Sequence, residues 1–132
     1  MSKMDYLAIN SIKMLALDMI NKAGSGHPGI VLGAAPIIYA LYKEHLDVIP
    51  SNPNWINRDR FVMSAGHGSA LLYSCLYHMG YNIEVEELKH FRQISSLTPG
   101  HPEVKVTPGV DVSTGPLGQG AVSYTHLTLP TT

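Results

Sequence analysis

Cysteine is all but absent from this 132-residue chain, with Cys75 standing alone. A single cysteine excludes an intrachain disulfide and any Cys-x-x-Cys metal or redox motif, so a reducing, cytoplasmic setting is the simplest expectation. Inside its apolar run, Cys75 reads as a small buried hydrophobe. Charge is scarce as well: Asp, Glu, Lys and Arg make up 14% of residues, and the formal net charge is −1. With no Lys/Arg cluster there is no electrostatic footprint for nucleic acid or an anionic membrane, and neither is expected as a partner. No uncharged apolar stretch reaches the ~20 residues that a membrane span needs. The opening "MSKMDYLAIN" lacks the charged-then-apolar order and small-residue cleavage site of a signal peptide. Internal repeats, low-complexity tracts and a G-x-S-x-G nucleophile elbow are all missing.

What is present is apolar substance, 45% of the residues, enough for one domain with a core. Ala8, Ile12, Leu15 and Met19 recur at helical spacing, with Ile9, Ala16 and Ile20 beside them, and predict a helix over 3–23. Ser2 suits its cap, and Lys22 and Gly24 suit its last turn and exit. "IVLGAAPIIYALYKEHL" (30–46) predicts a strongly apolar second helix, with Pro36 near its start or at a bend. Such a helix calls for burial, within the chain or against a second subunit. The Pro- and Asn-rich 47–60 stretch reads as a loop and "RFVMS" (60–64) as a short buried strand. A Gly-rich turn and a helix over 69–79 follow, which is the start of an α/β unit. "VEELKHFRQI" (85–94) predicts another helix, with Glu86 and Glu87 in its first turn. Residues 95–113 read as loop in preference to a hairpin about Pro108–Gly109.

Three islands stand out: "GSGHPG" (24–29), "SAGHGS" (64–69) and "TPGHPE" (98–103) each place a histidine after a glycine. Glycine lets backbone N–H groups approach a ligand without side-chain hindrance, and at a helix N-terminus such a turn favours phosphate. The imidazole adds a hydrogen-bonding group able to change charge near neutral pH. "TGPLGQG" (114–120) offers a second glycine-lined wall. His45, His78 and His90 fall in helical runs and read as ordinary helix residues. A zinc site on His27, His67 and His101 finds no support, because separations of 40 and 34 residues match no compact ligand motif. Ser64 and Ser69 flank His67, but neighbours in sequence do not make a triad.

With the islands assembled, the chain resembles a known family. "KAGSGHPG" (22–29), "NPNWINRDRFVMSAGHGSALLY" (52–73), "ELKHFRQ" (87–93), "TPGHPE" (98–103) and "TPGVDVSTGPLGQG" (107–120) match, in order and spacing, the N-terminal diphosphate-binding domain of the transketolase family. Deoxyxylulose-phosphate synthases share that fold but fit "SGHPG" and "TPGHPE" less well. The resemblance implies an α/β chain: an incomplete thiamine diphosphate-binding fold, with a parallel sheet flanked by helices, mostly helical over this stretch. It implies thiamine diphosphate-dependent transfer of a two-carbon ketol unit from a ketose phosphate to an aldose phosphate, as in the pentose phosphate pathway. Sugar phosphates would be the substrates, and the full-length parent would be a homodimer.

Residue by residue, the resemblance implies that His67 contacts the cofactor diphosphate and that Gly115, Pro116 and Leu117 line the cofactor. His27 and His101 would contact substrate and take part in proton transfer. The family's divalent cation, Mg²⁺ or Ca²⁺, is held by an Asp in a later "GDG" stretch and a following Asn. Neither lies in this sequence, Asp111 does not match the ligand position, and no residue here is assigned to the metal. Residues 1–121 are thus expected to form the N-terminal part of the domain. The tail "VSYTHLTLPTT" (122–132) departs from the small-residue helix that "GPLGQG" should open, and reads as a non-native tail. On this reading the chain alone is inactive and binds the cofactor poorly. The alternatives are an N-terminal subunit of a split transketolase and a non-catalytic phosphate-binding module.

Overall fold

The computed structural model describes residues 1–128. Helix α1 (Lys3–Ala23) begins as the sequence predicts, with Ser2 and Asp5 forming a reciprocal capping box. It ends at Gly24, whose φ of 60° is the left-handed conformation that glycine adopts cheaply. Its deepest line is Ile9, Ile12, Ala16 and Met19, while Ala8, Leu15 and Ile20 are half-buried alongside. Helix α2 (Pro28–Ala40) starts two residues before the predicted onset, because Pro28 occupies its first turn, where a missing N–H costs nothing. Pro36 lies inside α2, and a π-helical turn, Leu41–His45, extends the helix. Val31, Ala35 and Ile38 are buried, whereas Leu32 and Ile37 on α2 stay exposed.

Helix α3 (Ser69–His78) is the central element, with every residue from Ser69 to Leu76 buried. It packs on both α1 and α2, and those two helices pack on each other. An all-round buried helix carries apolar side chains on every face, and its two serines find partners. The Ser74 hydroxyl donates to the Ile12 carbonyl at 2.8 Å. Burial pushes the Cys75 thiol up to about 12, so it stays protonated and unreactive in the core. Helix α4 (Val85–Lys89) is shorter than predicted, since His90 leaves the helical conformation and Arg92 takes φ +64°. Helix α5 (Gln119–Thr128) follows the second glycine-rich turn. Of the tail set off in the sequence, 122–128 continue α5, and 129–132 lie outside the described residues.

The predicted strand at 60–64 is not one. No strand forms among the described residues. A strand needs a neighbour to complete its hydrogen-bond ladder, and none of the described segments pairs with this one. What remains is the helical face of an α/β fold. Residues 95–118 are loop, as expected, and no hairpin forms at Pro108–Gly109. These two residues make a tight turn instead, with the Val110 N–H donating to the Thr107 carbonyl at 3.2 Å and Gly109 at φ +86°.

One buried carboxylate ties α1 to the end of α2. Asp5 accepts from Lys43 Nζ at 2.6 Å and from the Tyr39 hydroxyl at 2.9 Å while capping Ser2. The Lys43 ammonium, followed by the Ser2 and Tyr39 donors, holds this carboxyl well below its ordinary value of 3.8. A group depressed in the folded state stabilises the fold above its unfolded pKa and loses that effect as the pH falls. The stability gap between wild type and Asp5→Asn should therefore be constant above about pH 5 and shrink steadily below about pH 4. Urea denaturation across pH 3–7 measures it, and a gap that does not change with pH would sink the assignment.

Candidate functional site

The three glycine-histidine islands converge. His67 lies in a 3₁₀ turn, Gly66–Gly68, that runs directly into α3. His27 caps the start of α2, and its side chain makes no capping bond. The two imidazoles meet edge to face, with centroids 5.0 Å apart and planes at 71°. His67 Nδ1 is buried and has no hydrogen-bond partner. A buried polar nitrogen left unmatched is costly unless a ligand completes it.

The second glycine-rich turn packs against the first through bare backbone. A Cβ on Gly66 would fall 2.8 Å from the Gly115 nitrogen and 2.8 Å from the Thr114 carbonyl carbon. The Thr114 hydroxyl donates to the Met63 carbonyl at 2.8 Å, fastening the two segments. His101 reaches the same wall, because a Cβ on Gly115 would stand 3.8 Å from His101 Cγ. His27 and His67 are thus neighbours, His101 and Gly115 are neighbours, and the Gly66 contact joins the two pairs. Pro116 and Leu117 are exposed on the outer part of the turn, with Leu117 at 76%. Gly118 follows at φ +83°, and α5 begins at Gln119.

Three helices, α2, α3 and α5, start from these islands. Their first N–H groups lack intrahelical partners and carry partial positive charge, which suits an anion. A diphosphate fits this donor set: an orphaned buried imidazole nitrogen beside two glycine turns whose backbone no side chain covers. A metal held by these residues does not fit. Among the described residues no three His, Cys, Asp or Glu side chains gather in a metal-binding group. Asp111, the nearest acid in sequence, is engaged elsewhere. One of its oxygens pairs with Arg58 and the other accepts from the Phe61 N–H at 2.9 Å.

His78 and His90 are held to the carbonyls of their own helices. His78 Nδ1 lies 2.7 Å from the Ser74 carbonyl and must donate to it, leaving Nε2 to accept from the Ser11 hydroxyl at 2.8 Å. His90 Nδ1 likewise meets the Glu86 carbonyl at 2.8 Å. Sequence reasoning missed the polar side chains behind the islands: Thr114, Ser69 and Tyr73. The Ser69 hydroxyl donates to the Gly100 carbonyl at 2.7 Å, and the Tyr73 hydroxyl lies 2.9 Å from the Pro99 carbonyl and 3.2 Å from that of His101. For Ser69 and Tyr73 the only signal was a spacing of four on one face of α3; Thr114 carried none.

The chain is similar to known proteins along most of its length. The family model described as "Transketolase, thiamine diphosphate binding domain" matches residues 4–131. A transketolase of Aquifex aeolicus is 57% identical over 118 residues, covering 89% of this chain and 17% of that protein. One of Geobacillus stearothermophilus is 58% identical over 116 residues, covering 88% of this chain and 17% of that protein. Among solved structures, the Pichia stipitis transketolase complexed with sedoheptulose-7-phosphate superposes with a TM-score of 0.88 at 53% identity, covering 91% of this chain and 18% of that one. A transketolase from Leishmania mexicana gives 0.85 at 50% identity, again covering 91% and 18%. The chain therefore spans under a fifth of the length of the relatives it matches.

Proposed function

This chain belongs to the transketolase family, as part of its thiamine diphosphate-binding domain, and on that premise we propose that it builds the diphosphate-holding side of a ketol-transfer active site. The observation that carries the proposal is His67, whose buried Nδ1 lacks a partner beside the glycine wall at 114–115. His67 holds the cofactor diphosphate, and Gly115, Pro116 and Leu117 line the cofactor alongside it. His27, against His67, and His101, beside Gly115, hold the hydroxyls of the sugar and move protons to and from them. Bare backbone at Gly66 and Gly115 keeps N–H groups within reach of anionic oxygens. When bound, thiamine diphosphate supplies the electron sink for breaking and making the carbon–carbon bond. The substrates are a ketose phosphate and an aldose phosphate, in keeping with the sedoheptulose-7-phosphate of the Pichia stipitis complex.

No residue of this chain is assigned to the divalent cation: among the described residues no three His, Cys, Asp or Glu side chains gather, and Asp111 pairs with Arg58 and accepts from the Phe61 N–H. Homodimerisation and a cytoplasmic setting are part of the same proposal. Among the described residues no helix is long and apolar enough to cross a membrane.

A chimera tests the reading. This chain replaces the matching stretch of the Aquifex aeolicus relative, and ketol transfer is assayed with and without His67→Ala. Activity should survive the exchange. His67→Ala should raise the thiamine diphosphate concentration for half-saturation at least about tenfold, the loss of one charge-assisted hydrogen bond of about 1.5–3 kcal/mol. An active chimera indifferent to His67→Ala would remove the diphosphate role from this residue. An inactive one would overturn the ketol-transfer reading.

A further inference from the structure

We infer that Ser69 and Tyr73 form a clamp on α3 that sets the position of His101, and that they are positioning residues for the site. The inference rests on the reading of His101 as a substrate-facing group. Four consecutive carbonyls, Pro99 to Pro102, are each engaged. The single hydrogen of the Tyr73 hydroxyl is shared between the carbonyls of Pro99 at 2.9 Å and His101 at 3.2 Å, Ser69 donates to Gly100, and the Thr114 N–H donates to Pro102 at 3.1 Å. A loop rarely has every carbonyl of a four-residue run held by a defined protein donor, because exposed loop carbonyls normally turn to water. Here His101 itself is exposed while its backbone is held from beneath by two wholly buried side chains. The exposed imidazole rests beside Gly115, and its approach to that turn is set by its carbonyl anchors.

The anchors also link this location to His67. Ser69 is two residues beyond His67, in the first turn of α3, and Tyr73 is one turn further along the same face. Thr114 closes the circuit from the other side, donating through its N–H to Pro102 and through its hydroxyl to Met63. A rigid helix thus carries the diphosphate-facing histidine at its start and the fastenings of the substrate-facing histidine on one face. Small displacements of a catalytic group cost rate even when binding of other groups is unaffected.

The test uses Ser69→Ala, Tyr73→Phe and, as a control, Cys75→Ala. The control lies on the same helix, is fully buried, and donates to none of the Pro99–Pro102 carbonyls. In the 132-residue chain, magnetic cross-relaxation between the His101 ring and the Gly115 α-protons should fade in the first two variants. The His27–His67 ring contact should persist in both. In the Aquifex aeolicus chimera, the same two variants should lower kcat/KM for the ketose phosphate about tenfold. Half-saturation by thiamine diphosphate should stay within about twofold. If both variants keep the His101–Gly115 contact at full strength, or if Cys75→Ala lowers kcat/KM as far as they do, the clamp is packing alone and the inference falls. A chimera inactive even with the unmutated stretch overturns the ketol-transfer reading instead. The cross-relaxation result then decides the clamp on its own.

Discussion

Gly66→Ala is expected to unfold the junction between the two glycine-rich turns and, with it, the candidate site. The added methyl would sit 2.8 Å from the nitrogen of Gly115 and 2.8 Å from the carbonyl carbon of Thr114. Both are backbone atoms, so no side chain can swing aside to make room. Thr114 is further held by its bond to Met63, and Gly66 by its place at the head of the 3₁₀ turn. Overpacking a filled site costs about 1–3 kcal/mol, and immovable neighbours put this position at the upper end. For a chain of this size that is a fall in melting temperature of about 10 °C. The same displacement parts His67 from the 114–117 wall, so thiamine diphosphate affinity should fall together with stability. By contrast, Gly68→Ala would meet the far ends of Met63 and Ile30, which can yield, and should cost less. Thermal unfolding of both variants checks the pair. A Gly66→Ala protein melting within about 2 °C of wild type would show that the turns are free to separate.

Asp111→Ala should be the most damaging change away from the islands. Arg58 and Asp111 keep only 11% and 6% of their side-chain surface exposed, and Arg58 Nη1 also reaches the Asp59 carbonyl at 3.0 Å. The guanidinium beside Asp111 is held even more firmly in its charged form than usual, chiefly by that carboxylate. Removing the acid leaves a buried cation with no counter-charge and strips the Phe61 N–H of its acceptor. Breaking one side of a buried pair costs about 3–5 kcal/mol, whereas replacing both sides by apolar residues is far milder. Arg58→Met with Asp111→Leu should therefore recover most of what Asp111→Ala loses, by urea denaturation. A single variant losing less than about 1 kcal/mol, or a double variant no better than the single, would deny the pair its role.

The cooperative elements were legible because their causes are local. The Ser2 cap, the apolar face of α1 and the exit at Gly24 are each set by residues within a few positions of one another, whereas the Pro28 start of α2 was not read from the sequence. The strand expected at 60–64 failed for the opposite reason. Phe61, Val62 and Met63 carry the right apolar pattern, but pairing is a property of two segments, and its partner is not among the described residues. Helix α4 fell short because Arg92 and Ser95 adopt positive φ, which nothing in their side chains announces.

For the site, the sequence by itself determined which groups are available: three histidines after glycines, a second bare turn, and one cysteine inside an apolar run. Their resemblance to one family rests on the motifs themselves, which match in order and spacing as well. Only the tertiary structure decided that His27 and His67 touch, that Gly66 must be bare because Thr114 and Gly115 lie against it, and that Asp111 is spent on Arg58. It alone revealed Ser69 and Tyr73 beneath His101. These are contacts between positions about 30 to 50 residues apart. A local pattern encodes conformation and amphipathic direction, whereas such meetings depend on how whole helices pack, a sum over many weak contacts that no short stretch of sequence contains.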